Sequence, residues 1–258
     1  MRFSIITPVY VWNQETADGL LQAIKSIENQ TYDKTDFQHV IVNDGSTFPV
    51  AIPKHPWITL IEQPNLQRLA AYNTGFKNAV GEVFCLLDAD DEYEPTYLSE
   101  VDTLFKENPE YKMFNFGCTF IHRDGGVSTR GAFKPKEIET GHEVFGGGNI
   151  VNGTFVYQRS IYEDLSAFPE GIKTIDVPWY KNTELFWTSP YDFSAYAQVE
   201  FPEIIPFFML KHPDHPAGLP KELGNPWGQD FYLFYKYTRK YHSKPIDDKY
   251  LYKVHSKL

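Results

Sequence analysis

VFCLLDADDEYEP, residues 83–95, is the stretch whose reading decides the fold. Val83 to Leu87 run without a polar break, which suits a strand buried on both faces, the environment of a central parallel strand. The strand passes directly into Asp88, Asp90 and Asp91. Carboxylates crowded on one tight turn repel each other unless a cation or hydrogen-bond donors compensate. A loop at the carboxyl end of a parallel strand also lies where open α/β sheets take their ligands. The other reading of Asp-x-Asp alone is a solvated acidic loop or a cluster capping the next helix.

Working outward, three further strands are expected at Phe3 to Pro8, Phe37 to Val42 and Trp57 to Gln63. Amphipathic helices separate them at Glu15 to Asn29, with a stripe of Leu20, Leu21, Ile24 and Ile27, and at Leu66 to Ala79. This alternation predicts a mostly parallel, Rossmann-like sheet flanked by helices. The loops ITPVY, NDGST and DADDEY then gather at one carboxyl edge. Beyond Pro95 the order loosens into a helix (Tyr97 to Lys106), a strand (Tyr111 to His122), a hairpin around Arg123 to Gly126, a Gly-rich loop at Gly146 to Gly148 and a strand at Val151 to Tyr157. A helix near Val177 to Trp187 and a Pro-rich strand from Glu203 to Leu210 follow. No internal repeat or long linker divides the chain. The expectation is one α/β domain over residues 1–224, with a nucleotide-binding half (1–95) and a smaller mixed acceptor half (96–224), then a basic aromatic helical extension over 225–258.

The 258 residues carry 24 Lys/Arg against 34 Asp/Glu, a formal charge of -10, which lacks the basic footprint of a nucleic-acid-binding protein. From Asn225 to Leu258 there are seven Lys/Arg and three Asp, so this tail is +4 and the rest of the chain -14. The tail reads as a solvated helix docked on the domain, or as a face turning Lys236, Arg239 and Lys240 toward an anionic membrane surface. No apolar run approaches the roughly 20 residues that span a bilayer, and a strand-like segment follows Met1-Arg2 at once, so the expected location is cytoplasmic, with peripheral membrane contact as the further option. Cys85 and Cys118 fit neither a disulfide framework nor a zinc spacing and read as buried small hydrophobes.

FSIITPVYVW at the start, VIVNDGST at the second strand, NLQRLAAYNTGF before the fourth and VFCLLDADDEYEP after it together resemble a family 2 glycosyltransferase of the GT-A fold, over most of the first 215 residues. The resemblance implies a nucleotide-sugar donor, UDP-linked first of all, a divalent cation (Mn²⁺ or Mg²⁺) and sugar transfer with inversion. It implies that Thr7, Pro8, Val9 and Tyr10 line the base and ribose site, with Asp44 accepting a hydrogen bond from the base edge. Arg68 and Asn73 lie on the helix that the family sets beside the nucleotide. Asp88, Ala89 and Asp90 form the diphosphate loop, with Asp90 and then Asp88 as metal ligands.

Inverting transfer needs a carboxylate to take the acceptor hydroxyl's proton. The run FVYQRSIYEDLSAFPEGIKTIDVPW resembles the family segment that leads to an acidic pair, which falls here on Ile175-Asp176, so Asp176 is the expected base, with Asp192 in SPYDFSAYAQ as its rival. Ile175 departs from the family's usual Glu. Both aspartates also suit helix caps. LKHPDHPAG offers Lys211 for the diphosphate and His212 or His215 to complete the metal site. Asn152, Gly153 and Thr154 would floor the acceptor site, with Trp179, Tyr180 and Trp187 as flat surfaces on which a sugar ring could stack, and a glycan, lipid-linked molecule or protein as acceptor. Two rival readings stand: a non-catalytic nucleotide- or carbohydrate-binding protein of the same fold, and a nucleotidyltransferase, disfavoured because ITPVYVWNQE has no Gly-rich basic loop.

Overall fold

The computed structural model describes residues 1–66, 68–132, 151–167, 233, 236–238 and 240–255. The expected parallel sheet is there. Strands β1 (Phe3–Val9), β2 (Phe37–Asp44), β3 (Ile58–Gln63) and β4 (Val83–Leu86) run parallel in the order β3-β2-β1-β4. Phe3 pairs with Phe37 on one side and Val83 on the other. β1 and β4 are buried along their whole length, as strands covered on both faces must be, whereas edge strand β3 alternates between half-buried and exposed positions.

Helix α1 (Gln14–Glu28) starts on a reciprocal cap: Asn13 accepts from the Thr16 amide while the Thr16 hydroxyl reaches back to the Asn13 amide. It buries Leu20, Ala23, Ile24 and Ile27, while Leu21, expected on that stripe, is 37% exposed. Helix α2 (Arg68–Asn78) covers the other face through Leu69, Ala71, Tyr72 and Phe76. Gly75 lets it sit directly on β1, because a Cβ there would overlap the Ile6 side chain. Helix α3 (Tyr97–Glu107) follows the short β5 (Glu92–Tyr93), and the rings of Tyr93 and Tyr97 stack at 3.7 Å.

The second half completes the sheet in mixed fashion. β6 (Met113–Ile121) forms the expected hairpin with β7 (Val127–Arg130), and β8 (Phe155–Gln158), preceded by a 3-10 turn at Asn152–Thr154, pairs antiparallel with both β4 and β6. Helix α4 (Arg159–Leu165) follows β8.

The tail departs from expectation. Residues 236–238 are helical, but Ser243–His255 form strand β9, parallel to β6 and antiparallel to β5, inside the sheet rather than docked on it as a helix. The aromatic run before Tyr241 sets the helical impression, while Tyr250, Tyr252 and Val254 in the segment after it favour a strand. Near Gly117 the β6–β9 register shifts, and a Cβ on Gly117 would press into the Tyr250 ring at 2.8 Å. Among the described residues, three lysines of the tail pair with carboxylates of the body. Lys240 pairs with Asp164 (2.6 Å), Lys253 with Glu94 (3.0 Å) and Lys249 with Glu100, and Lys236 donates to the Ala167 carbonyl (3.1 Å). Among the described residues no helix is long and apolar enough to cross a membrane.

Candidate active site

The carboxyl ends of β1, β2 and β4 bring three loops to one edge. β1 ends in Tyr10, half-buried, whose ring stacks on the indole of Trp12 at 6.0 Å; Trp12 itself is 53% exposed. Pro8 and Val9 are buried. Thr7 turns inward, its hydroxyl 2.8 Å from Nε2 of His39 on β2 and fully enclosed. Burial drives the His39 pKa down to about 3, so the ring is neutral, and its Nδ1 has no partner. The Thr7 side chain therefore belongs to the core beneath the site and does not line it.

The loop after β2 is tied to its neighbours on both sides. Ser46 Oγ accepts from the Val11 amide (2.8 Å), and Thr47 and Phe48 donate to the Val11 carbonyl. Gly45 takes a positive φ of 72°, and a Cβ there would meet the Asn65 amide nitrogen at 2.6 Å, so glycine is required on both counts. Asp44 is buried and accepts from Gln63 Nε2 (2.6 Å) and the Leu66 amide (2.9 Å), both on Oδ1. Those bonds fix the carboxylate through a single oxygen.

The acidic loop is held from two sides. From α2, Arg68 Nη2 (2.9 Å) and the Tyr72 hydroxyl (2.7 Å) both donate to Asp88 Oδ1, and the guanidinium lies over the Tyr72 ring. From β9, the Tyr252 hydroxyl accepts from the Asp88 amide (3.2 Å) and donates to Asp91 Oδ2 (2.8 Å), while the His255 amide donates to Asp91 Oδ1 (3.0 Å). Asp90 and Ala89 are half-buried and lie against Gly19 of α1, where a Cβ would come within 3.5 Å of the Asp90 Cα. Asp91 is buried; desolvation first, then the charges of Asp88 and Asp90, push its carboxyl well above the usual range. Beside it, the His255 ring and Gln22 both meet Glu92 Oε1 at 2.6 Å.

Among the described residues no three Asp, Glu, His or Cys side chains already form a metal cage. Asp88 and Asp90, half-buried oxygen donors on one turn, would suit a hard divalent cation.

Of the other expected residues, Asn73 is half-buried on α2 next to Tyr72. Asn152 falls on the 3-10 turn. Gly153 does not floor an acceptor pocket: it is buried, and a Cβ there would overlap the Tyr252 ring. Asp176, Asp192, Lys211, His212, His215, Trp179, Tyr180 and Trp187 lie outside the described residues. Sequence reasoning passed over Tyr72 and Tyr252. Tyr72 carries a signal, since it stands four residues after Arg68 and so shares its helix face. Tyr252 carries none, being distant in sequence from the loop it binds.

A sequence model described as glycosyl transferase family 2 matches residues 4–166. The chain belongs to that family. The match covers every element that builds the three-loop edge except β9. Among named relatives of this glycosyltransferase family member, an uncharacterized glycosyltransferase of Rickettsia conorii is 30% identical over 154 residues, which is 58% of this chain and 23% of that protein. Uncharacterized glycosyltransferase YibD of Escherichia coli is 32% identical over 113 residues, 42% of this chain and 31% of the relative. The chain thus spans less than a third of these relatives' length. In three dimensions it resembles residues 1–349 of Staphylococcus aureus TarS, with a TM-score of 0.59 at 16% identity, covering 99% of this chain and 60% of that one. The structure of the same TarS segment in complex with UDP-GlcNAc gives a TM-score of 0.57 at 15% identity, covering 100% of this chain and 59% of that one. These likenesses support the GT-A, Rossmann-like fold.

Proposed function

We propose that the protein is an inverting, metal-dependent glycosyltransferase that takes a sugar from a nucleoside diphosphate sugar, UDP-linked first of all, and passes it to a hydroxyl of a glycan, lipid-linked or protein acceptor. The observation that carries this reading is the acidic loop at the carboxyl end of β4, set beside the Tyr10 ring and the fixed Asp44 carboxylate and clamped by Arg68 and Tyr72. Family membership supports the reaction class, and the UDP-GlcNAc bound by the TarS neighbour supports the donor class.

In this reading Tyr10 offers a ring face to the base and Asp44 accepts from its imide edge. Asp88 and Asp90 would hold Mn²⁺ or Mg²⁺, which as a Lewis acid stabilises charge on the departing diphosphate. Arg68 already lies against Asp88, placing a guanidinium where phosphate oxygens would arrive. Asp176 is the proposed general base, with Asp192 as the alternative, Lys211 the proposed diphosphate contact and His212 or His215 the proposed completion of the metal site. Five lysines of the tail already have partners on the body, which argues against membrane contact through it.

Calorimetric titration of UDP, GDP and dTDP, each with Mn²⁺ and with chelator, tests the reading on the wild type and on Asp90→Ala. The expected result is that UDP binds with Mn²⁺ and that chelator or Asp90→Ala abolishes binding. A wild type that binds none of the three would sink it.

A further inference from the structure

Two fully buried tyrosines grip the acidic loop, one from α2 and one from β9. Tyr72 holds the Asp88 side chain. Tyr252, on β9, holds what Tyr72 does not: the Asp88 amide and the Asp91 carboxylate. One phenolic hydroxyl can accept the first hydrogen bond and donate the second, so both ends of the turn are pinned to a single atom. The ring cannot drift, because it is completely enclosed, meets Tyr93 edge-on at 5.7 Å and fills the space left open by the missing side chain of Gly153. The His255 amide supplies the other Asp91 oxygen, so both are engaged within the protein.

We propose that Tyr252 is a positioning residue of the donor site, and that Asp91 is the anchor through which β9 sets the loop carrying Asp88 and Asp90. Strand β9 is then part of the nucleotide machinery although the family match ends at residue 166. This inference rests on the donor-site reading above and adds to it a device that shapes the diphosphate end of the site without touching the base end. The base end is built from the ends of β1 and β2, which Tyr252 does not contact among the hydrogen bonds and ring pairs it makes.

That division gives a readout that a merely structural tyrosine would not move. UDP with Mn²⁺ reports on both ends of the site, whereas uridine reports on the base end alone. Tyr252→Phe keeps the ring and removes the hydroxyl. Without the hydroxyl the Asp88 amide and an Asp91 oxygen lose their partner in a buried place, so affinity for UDP with Mn²⁺ should fall about tenfold or more while uridine affinity stays within about twofold. Tyr237→Phe is the matched control: this tyrosine is equally buried, but its hydroxyl donates to the Ser166 carbonyl (3.0 Å), so neither ligand should change by more than about twofold. Asp91→Asn attacks the same contact from the other side and should reproduce the selective loss, which covers the case in which Tyr252→Phe fails to fold. The proposal is overturned if Tyr252→Phe or Asp91→Asn binds UDP with Mn²⁺ as the wild type does, or loses uridine and UDP alike. A wild type that binds no UDP overturns the donor-site reading, and this inference with it.

Discussion

Gly153→Ala should be among the most damaging methyl additions this chain can receive. Gly153 is buried in the 3-10 turn before β8, and a Cβ built on it would overlap Cε2, Cζ and Cδ2 of Tyr252, far inside the 3.4–4 Å of ordinary contact. Neither side has room to yield. The glycine backbone is fixed by the Tyr97 hydroxyl on its carbonyl and by the Thr154-to-Val151 backbone hydrogen bond, and the Tyr252 ring is 0% exposed. The ring must leave its niche, forfeiting the burial of an aromatic side chain, about 3–5 kcal/mol by comparison with large-to-small core substitutions. Against a typical stability of about 5–15 kcal/mol this is a large fraction. At about 2 kcal/mol per molar urea, the midpoint should fall by roughly 2 M. The assay is urea unfolding followed by tryptophan fluorescence and far-UV circular dichroism. A double-mutant cycle isolates the cause: in a Tyr252→Ala background the clash is gone, so Gly153→Ala should add less than about 1 kcal/mol. An unchanged midpoint in Gly153→Ala, or an equal cost in both backgrounds, would refute the steric account.

Two further outcomes follow from buried titratable groups. Cys85 and Cys118 are both buried, and desolvation raises both thiols, that of Cys118 to about 11, so neither should react with a thiol reagent near neutral pH until urea is added; labelling of the native protein would contradict the packing. Burial alone would raise the Asp102 carboxyl, but Lys106 (2.7 Å) and Arg2 (2.9 Å) outweigh it and hold it below its ordinary value. Its contribution is therefore present above the unfolded pKa of about 3.9 and is lost as pH falls through the lower folded value. Asp102→Asn should cost about 1–3 kcal/mol near pH 7 and flatten the acid limb of the stability profile, and an acid limb parallel to the wild type's would argue against the pairing.

The first half of the fold was legible because its signals are local. Nearly continuous apolar runs mark β1, β2 and β4, the stripe of Leu20, Ile24 and Ile27 marks α1, and turn residues place the three loops on one edge, where Arg68 meets Asp88. The inward turn of Thr7 has no local signal, because a threonine at a strand end is as apt to satisfy a buried histidine as a ligand, and the partner His39 sits 32 residues away. The role of Gly153 was hidden for the same reason. What its missing side chain makes room for is a ring almost a hundred residues further along, in a tail whose tyrosines and lysines suit a docked helix as well as a strand. The lysine pairings could not be read either, because each depends on which acidic residue the sheet brings opposite.

The insertion of β9 between β6 and β5 also bears on how the molecule is made. The Asn115–Ser243 hydrogen bond, buried where β6 and β9 begin to pair, closes a loop of 128 residues, and the Asp91 contact with His255 spans 164. Such closures are slow, because loop entropy is surrendered before the contact repays it. During synthesis the β3-β2-β1-β4 layer, with its short-range crossovers, can form while the ribosome is still producing the rest of the chain. The turn that carries Asp88 and Asp90 then waits for β9 to emerge, so the chain acquires its parallel layer well before it acquires a finished acidic loop.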